Sequence, residues 1–361
     1  MPDAPLRLGL VGPLPPPNGG MAMQTLQLQR LLAGEGVRVE LVQTNAPYRP
    51  RMIGRVRGVR ALFRLLPYLV QLWRLAGRVD VVHLMANSGW SWQLFAAPAI
   101  WIARLRGTPV VVNYRGGEAR EYLARSLRWV KPTLDRCSSL VVPSGFLREV
   151  FAEFGVSARV VPNIIDLEAF RPAERDSRGD TFNLVVTRNL EAIYGLDTAI
   201  RSLAIARQRQ PQLRLHIAGS GPQLGQLQAL ARSEGVEEAV FFLGRLERGA
   251  VIDLYAAADA MLNPTRVDNM PNSVLEALAC GLPVISTRVG GVPFILEHGR
   301  NALLVPPDDP QAMADAVEAL VRDRDLRQRL REEGRREVEQ YSWERVGPQW
   351  LDLYRRLEAA A

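Results

Sequence analysis

The stretch DAMLNPTRVDNMPNSVLEALACGLPVIST, residues 259–287, contains a complete strand–helix–strand pattern. DAML (259–262) and PVIST (283–287) are short apolar runs. Between them, the apolar residues of SVLEALA recur at helical spacing until a Cys-Gly-Leu-Pro stop. Two parallel strands joined by a crossover helix form a βαβ unit. The stretch therefore predicts an α/β fold built on a parallel sheet.

The same alternation of short β-branched runs with helix-period segments occurs along the whole chain. The runs are residues 6–12, 37–44, 79–85, 108–114, 138–144 and 158–163, then 182–187, 213–219, 239–244, 259–262 and 283–287. The pattern restarts after a polar link at 171–180, and 361 residues are too many for one core. We predict two Rossmann-like domains, 1–172 and 173–345, with a last helix, 346–361, that packs back on the first.

The composition is that of an ordinary globular protein, with 47% hydrophobic and 23% charged residues. The two cysteines, Cys137 and Cys280, indicate neither a disulfide framework nor a zinc site. The N-terminal residues lack the apolar core of a secretory signal, and no uncharged apolar stretch reaches the roughly 18 residues of a membrane span. These features predict a cytoplasmic protein.

Basic residues are concentrated in the first half, where residues 1–172 contain 22 Lys and Arg against 11 Asp and Glu. Arg49–Arg78 holds eight arginines and no acid, interleaved with apolar residues at helical spacing. This pattern predicts a peripheral helix on an anionic membrane surface. The alternative is a core-facing helix with solvated arginines, which Pro67 would break in two. No nucleic-acid-binding module accompanies the high pI, so we expect no nucleic-acid partner.

Two acids eight positions apart, Asp268 and Glu276, flank the start of the helix in the opening stretch. Ser273 and Glu276 fit a capping box, and Asp268 fits a turn, so both acids have a purely structural interpretation. A functional interpretation uses the same geometry, because a helix N-terminus attracts a diphosphate while neighbouring carboxylates accept hydrogen bonds from hydroxyls. A nucleotide sugar combines both groups.

Residues 182–320 resemble the donor domain of glycosyltransferase family 4. The motifs that carry the resemblance are TRNLEAIYGLDTAIRSLA, LHIAGSGPQLGQLQALA, VFFLGRLERGAVIDLYAAADAMLNPT, DNMPNSVLEALACGLPVISTRVGGVP and EHGRNALLVPPDDPQAMADAV, in family order. The first half matches more loosely, through GPLPPPNGGMAMQTLQLQRLLAGEGVRVELV, DVVHL, VVPSGFLREVF and VVPNIIDLEAF. The resemblance implies the GT-B fold, in which two Rossmann-like domains face each other across a cleft. It also implies retaining transfer from a nucleotide sugar, with no cofactor and no metal.

The resemblance places a set of residues at the donor: Gly19, Gly20, Arg188, Tyr194, Gly219, Gly221, Gly244, Arg245, Asp268, Asn269, Met270, Pro271, Asn272, Ser273 and Glu276. Asp268 stands where the family has a Glu that holds the transferred sugar, and Glu276 stands where the family binds the ribose. Arg188 matches the diphosphate-binding arginine, whereas Tyr194 replaces the family's lysine. The plain alternatives are an exposed loop arginine for Arg188 and a tight turn for Gly19 and Gly20.

On the acceptor side, the first domain, the candidates are His83, which ends a strand beside MANSGW, with Asn87 in that segment, and Arg115 and Gly116 in the loop NYRGGEA. Arg115 occupies the loop where many relatives have a histidine. We expect Arg188, Asp268 and Arg115 to be the catalytic residues. Glu118 is the one carboxylate of that loop, and since it fits a helix start better than a nucleophile, we favour front-face displacement.

The predicted function is thus retaining transfer from a UDP-sugar or GDP-sugar to a hydroxyl of a glycan or lipid-linked acceptor, in bacterial cell-surface polysaccharide or glycolipid synthesis. A sugar-nucleotide hydrolase or epimerase of the same fold is the alternative. An NAD-dependent oxidoreductase is remote, because GPLPPPNGG lacks the Gly-x-Gly-x-x-Gly fingerprint. Of the remaining candidates, His216 fits a packed strand residue, and Asp323 and Asp325 fit a solvated helix better than a metal site.

Overall fold

A computed structural model describes residues 5–16, 19–47, 60–173 and 181–361, with the side chains of 60–62 left aside. The chain divides into two compact units. Unit 1 comprises residues 1–164 and 343–361, and unit 2 comprises residues 165–342. Each unit is built on one parallel six-stranded sheet with helices. The predicted α/β fold with two Rossmann-like domains is therefore confirmed.

The sheet of unit 1 has the strand order β2-β1-β3-β4-β5-β6. Its elements are β1 (Arg7–Gly12), α1 (Gly20–Gly34), β2 (Arg38–Gln43), α2 (Arg60–Ala76), β3 (Val81–Ala86), α3 (Ala97–Leu105), β4 (Val110–Tyr114), α4 (Ala119–Leu134), β5 (Ser139–Val142), α5 (Gly145–Glu153), β6 (Arg159–Val160) and the last helix, α12 (Trp343–Ala359). A π-helical turn, Trp92–Ala96, leads into α3.

The sheet of unit 2 has the order β12-β11-β10-β7-β8-β9. Its elements are β7 (Phe182–Thr187), α6 (Leu196–Arg207), β8 (Leu213–Ala218), α7 (Leu224–Ser233), β9 (Val240–Gly244), α8 (Arg248–Ala257), β10 (Ala260–Asn263), α9 (Asn272–Ala279), β11 (Val284–Thr287), β12 (Leu303–Val305), α10 (Pro310–Arg322) and α11 (Arg324–Val338). Asp323 caps α11 by accepting from the N–H of Leu326 at 2.8 Å, a structural use of the Asp-x-Asp sequence.

The division between the units differs from the predicted boundaries by eight residues at the link and by three at the last helix. Ile165 and Phe170, which we predicted in the first domain, are buried in the core of unit 2. Trp343 packs against the core of unit 1, together with the buried Trp350 and Tyr354 of α12. Hydrophobic packing, rather than the polar link at 171–180, therefore sets where one unit ends.

Helix α2 runs without a break through Pro67, contrary to the expected interruption. Pro67 lies on the exposed side of the helix, so its ring displaces no packed side chain, and the helix continues with the loss of one backbone hydrogen bond. Residues 49–59 of the predicted basic helix lie outside the described residues. Within the described ranges, no helix has the length and apolar character that a membrane crossing needs.

Candidate functional site

Strands β7 and β10 lie side by side at the centre of the unit 2 sheet, where the strand order reverses. Connections from these two strands run in opposite directions along the sheet, which opens a crevice beyond their carboxyl ends. Arg188 directly follows β7, and Asn263 is the last residue of β10. Both side chains therefore lie at the carboxyl ends of the strands, where parallel sheets bind ligands.

The Arg188 guanidinium is held by two neighbours in this crevice. Its Nε and Nη2 donate to Asn263 Oδ1 at 3.1 and 2.9 Å, and Nη2 also donates to Asp268 Oδ2. The side chains of Arg188 and Asp268 are each only 12% exposed. The guanidinium carbon lies 5.1 Å from the ring centroid of Tyr194. The structure thus brings together three predicted donor residues, and Tyr194 contributes its ring face to the arginine.

Asp268 also orders the loop that leads into α9. Its Oδ1 accepts from the N–H of Asn269 at 2.8 Å, and its carbonyl accepts from the N–H of Gly291 at 3.0 Å. Both carboxylate oxygens therefore already have a partner within unit 2. A hydroxyl of a bound sugar would use their remaining lone pairs.

The predicted capping box at the start of α9 is not formed. The helix begins at Asn272 with Pro271 at the N-cap, so Ser273 lies inside the first turn instead of at the cap. Ser273 Oγ is buried and has no hydrogen-bond partner among the described residues. A buried hydroxyl without a partner is costly, and it stands at a helix N-terminus that favours anions.

Glu276 contacts Tyr255 rather than its own helix start. Tyr255, fully buried on α8, lies 3.3 Å through its hydroxyl from Glu276 Oε2 and 2.6 Å from Thr187 Oγ1. Burial raises the pKa of Glu276 to about 7, although the Tyr255 hydrogen bond and the charges of Arg248 and Arg188 act in the opposite direction. Ligand hydroxyls that donate to the carboxylate would stabilise its ionised form.

Three of the predicted glycines pack backbone against backbone beside this crevice. A Cβ on Gly219 would lie 1.9 Å from the Arg188 carbonyl oxygen, and one on Gly221 would lie 2.4 Å from that of Leu190. Gly219 also donates to the Gly244 carbonyl at 2.8 Å. These glycines let the loops after β7, β8 and β9 meet. Contact with a donor is a separate expectation, and it stays a prediction, as it does for the exposed Arg245.

Most of the residues that we predicted to bind the acceptor lie close together, beyond the carboxyl ends of β3 and β4 in unit 1. Arg115 donates from Nη1 to Asn163 Oδ1, and its Nε is buried without a partner among the described residues. Burial lowers the pKa of Arg115 to about 10, which leaves it charged at neutral pH. A Cβ on Gly116 would lie 2.8 Å from Asn87 Oδ1, so the structure brings together three predicted acceptor residues, Asn87, Arg115 and Gly116.

His83 is the exception among the predicted acceptor residues, because it is fully buried in β3. Its Nδ1 lies 2.6 Å from Tyr354 Oη, and its Nε2 lies 3.1 Å from Asn113 Nδ2. Burial lowers the pKa of His83 to about 3, with the charge of Arg115 adding to the effect. Both ring nitrogens have partners within the chain, a geometry that favours a packing role over acceptor contact.

The remaining predictions concern Gly19 and Gly20 in unit 1 and His216 in unit 2. Gly19 caps α1, and the space that a Cβ there would occupy is open to 4 Å. Gly20 is the first residue of α1. His216 is only partly buried in β8, stacked on Phe241 with ring centroids 4.9 Å apart.

Sequence reasoning missed Asn263 and Tyr255. Asn263 had a weak signal, since it is the polar residue that ends an apolar strand run. Tyr255 had none, because its contact with Glu276 joins two helices whose packing the sequence does not reveal.

Comparison with known proteins agrees with this architecture over both units. Residues 169–337 match the family described as glycosyl transferases group 1, and residues 18–169 match glycosyltransferase family 4. A D-inositol 3-phosphate glycosyltransferase of Corynebacterium jeikeium is 32% identical over 307 residues, which cover 78% of this chain and 73% of that protein.

Solved structures show the same fold. Sucrose-phosphate synthase from Thermosynechococcus elongatus has a TM-score of 0.79 at 20% identity, covering 99% of this chain and 100% of that one. Anabaena HepE in complex with UDP has a TM-score of 0.75 at 18% identity, covering 96% and 99%. The two family matches meet at residue 169 and together span residues 18–337. With the 32% identical relative and the two solved structures, they show that the chain belongs to glycosyltransferase family 4 and has the GT-B fold.

Proposed function

We propose that the protein transfers a hexose from a UDP-sugar or GDP-sugar, with retention of configuration, to a hydroxyl of a glycan or lipid-linked acceptor in cell-surface polysaccharide or glycolipid synthesis. The observation that carries the proposal is the Arg188 guanidinium, fixed by Asn263 and Asp268 in the crevice between β7 and β10. An arginine held in this way is preorganised for a phosphate group.

The diphosphate would bind between Arg188 and the start of α9. Nη1 of Arg188 has no partner among the described residues, so its two N–H groups can donate to phosphate oxygens. Ser273 Oγ, buried and unpartnered in the same described set, provides a further donor at the N-terminus of α9. Two kinds of donor and a helix dipole supply the positive potential, and we propose that no metal ion is needed there.

The rings on either side of the diphosphate would bind the two acids. Glu276 would accept from the ribose hydroxyls once it is ionised, and Asp268 would accept from a hydroxyl of the sugar. The C1–phosphate bond would break as the C1–acceptor oxygen bond forms on the same face, and the acceptor proton would pass to the leaving phosphate. Arg188 would stabilise the negative charge that develops on that phosphate.

A covalent intermediate receives no support from Glu118. This residue is exposed at the N-cap of α4, where its side chain does not cap the helix. The cluster around Arg115, with its buried charge and its unpartnered Nε in the described structure, is better suited to bind the acceptor or the transferred sugar.

Names of relatives guide the choice of substrates to test. The Corynebacterium protein is named for a phosphorylated inositol, and the Anabaena structure contains UDP. We would therefore begin with UDP-sugars, and the acceptor panel should contain inositol phosphates beside glycans and lipid-linked sugars.

The test combines calorimetric titration of UDP and GDP with a nucleotide-release assay over this acceptor panel, with and without EDTA. We expect one nucleotide to bind in the micromolar range, acceptor-dependent release that EDTA does not abolish, and a loss of roughly 100-fold or more in kcat/KM for Arg188→Ala. Arg201→Ala is the matched control, because Arg201 also pairs with a carboxylate of unit 2 but on an exposed surface.

Three results would count against the proposal. Failure of both nucleotides to bind would remove the donor site, and unchanged turnover in Arg188→Ala would remove the role of the arginine. Sugar release that needs no acceptor would favour the hydrolase, the alternative within the same fold.

A further inference from the structure

Helix α2 is apolar on both of its sides. Tyr68, Leu72 and Leu75 face the core of unit 1 and are buried. Opposite them, Phe63, Leu66, Val70 and Trp73 are exposed, with Leu66 at 60% and Trp73 at 47%. An apolar stripe that the chain's own described residues leave uncovered marks an interaction site.

Helix α3 extends this stripe. The Arg106 guanidinium, just after α3, lies 5.0 Å from the ring centroid of Trp73, which places the end of α3 beside α2. Leu105 is 71% exposed at that end, and Trp101 is exposed one helical turn earlier. We call the exposed Phe63, Leu66, Val70, Trp73, Trp101 and Leu105 the α2–α3 surface.

Exposed arginines of α2 and of the end of α3 add positive charge beside the α2–α3 surface. Residues 41–117 contain eleven arginines, and their one acid, Asp80, is paired with Arg7. Arg74, Arg104 and Arg106 are exposed, and within the described chain no carboxylate pairs with them. Exposed tryptophan and leucine next to unpaired arginine is the composition of segments that lie in the headgroup region of an anionic bilayer.

We propose that the α2–α3 surface docks unit 1 on an anionic lipid membrane, with the apolar stripe of α2 inserted among the lipids and the arginines in contact with headgroup phosphates. The inference stands apart from donor binding, and it adds a partner that would hold the enzyme close to a lipid-linked acceptor. It extends the membrane prediction made from the sequence by naming the exposed apolar side of α2 as the part that enters the membrane.

A second copy of the chain is a poorer occupant of the same surface. In a two-fold dimer the same patch meets itself, so Arg74, Arg104 and Arg106 of both copies would approach one another without intervening acids. An anionic lipid surface supplies the missing negative charge and the apolar phase together.

Vesicle flotation of the full chain tests the proposal, with vesicles of phosphatidylcholine alone and of equal parts phosphatidylcholine and phosphatidylglycerol. We expect the wild type to bind the anionic vesicles at low salt. The variant Leu66→Ser/Val70→Ser/Trp73→Ser should bind them at least about tenfold more weakly, because three inserting side chains are lost. The charge variant Arg74→Gln/Arg104→Gln/Arg106→Gln should lose its preference for anionic lipid. Leu224→Ser/Leu243→Ser, two exposed apolar residues of unit 2, is the matched control and should float like the wild type.

Four outcomes would overturn the proposal. They are wild-type protein that does not float, equal flotation on neutral and anionic vesicles, a triple serine variant that floats like the wild type, and a dimer that the triple variant converts to monomers without any flotation. The melting temperature of each variant without ligand confirms folding, and its shift with UDP keeps the two proposals separate. Flotation without a UDP response would leave the membrane surface intact and remove only the donor site.

Discussion

At the scale of single residues, Arg188 and Asp268 form a nearly buried ion pair, and removing its two charges from water costs free energy. Both side chains are almost removed from water, so either charge alone would be left with little solvation. We expect Arg188→Ala and Asp268→Asn each to lower the free energy of unfolding of unit 2 by about 2–3 kcal/mol. The double variant should lose less than the sum, by about 1 kcal/mol or more, because the second substitution removes the unpaired partner. Urea unfolding of the four proteins measures this coupling, and strictly additive losses would contradict it.

Glu276 makes the site sensitive to pH. Its pKa of about 7 in the folded protein exceeds the unfolded value of 4.5, so the folded state binds the proton more tightly. The stability that this group contributes is complete below pH 4.5 and is lost as the pH rises through 7. We expect Glu276→Gln to raise the stability of unit 2 by about 2 kcal/mol at pH 8, with little change at pH 4.5.

The same substitution should weaken nucleotide binding, because an amide accepts hydrogen bonds from the ribose less well than a carboxylate. Thermal unfolding at both pH values, with a UDP titration beside it, checks the two effects together. If Glu276→Gln is less stable than the wild type at pH 8, the ionised Glu276 carboxylate does not destabilise the folded protein.

Spacing alone placed Asp268 and Glu276 at a loop and the helix that follows it, since this needs only local sequence, while their roles at a donor came from the family resemblance. Spacing gave the wrong partner for Glu276, because a capping box depends on which residue stands at the N-cap, and Pro271 takes that position. The contact of Arg188 with Asn263 could not be predicted from local pattern, since it joins two strands 75 positions apart.

At the scale of elements, the loop between β10 and α9 is fixed by one close approach. A Cβ on Gly291 would lie 1.7 Å from the carbonyl oxygen of Asn269, so an alanine there must displace the loop that carries Asp268. We expect Gly291→Ala to cost about 2 kcal/mol or more of stability and to reduce donor turnover.

Gly225→Ala in α7 is the control for this substitution, since nothing lies within 4 Å of its Cβ position. In that helix an alanine should be neutral or stabilising by about 0.5 kcal/mol. Denaturant midpoints and nucleotide release for both variants decide the point, and a Gly291→Ala protein with normal turnover would show that the loop tolerates the shift.

Eleven of the described strands coincide with the short runs picked out in the sequence. The signal is clearest for central strands such as β3, β4 and β10, which are buried on both faces and continuously apolar. β12 (Leu303–Val305) was missed, since three residues between a loop and a Pro-rich turn give no recognisable period. The last helix was recognised by its amphipathic pattern, but which core it joins depends on distant residues such as Leu8 and Val111.

At the scale of the whole molecule, the chain returns to its first unit through α12. Trp350 is buried there beside His83, with ring centroids 4.8 Å apart, and Tyr354 reaches the His83 imidazole. We expect Trp350→Ala to lower the stability of unit 1 by about 3–5 kcal/mol while nucleotide binding by unit 2 persists. Hydrogen exchange read out separately for the two units checks this, and equal loss of protection in both would contradict it.

The two units should also respond to acid in opposite directions through one group each, His83 in unit 1 and Glu276 in unit 2. The folded pKa of His83, about 3, is below its ordinary value of 6.5, so the unfolded chain binds the proton more tightly. Its contribution to the stability of unit 1 is complete above pH 6.5 and is lost as the pH falls toward 3, by about 2 kcal/mol at pH 5. Glu276 changes unit 2 with the opposite sign, between pH 4.5 and about 7.

Calorimetry measures the unfolding transition of each unit at pH 5 and 7.5. Comparing the wild type with His83→Gln and with Glu276→Gln then gives the contribution of each group. A glutamine at position 83 loses ring packing at every pH, so the informative quantity is the pH dependence of the unit 1 transition, which should become shallower. The dependence of the unit 2 transition should change only in Glu276→Gln. If His83→Gln keeps the full acid sensitivity of unit 1, other groups dominate it, and the buried imidazole is then a packing element without a role in acid stability.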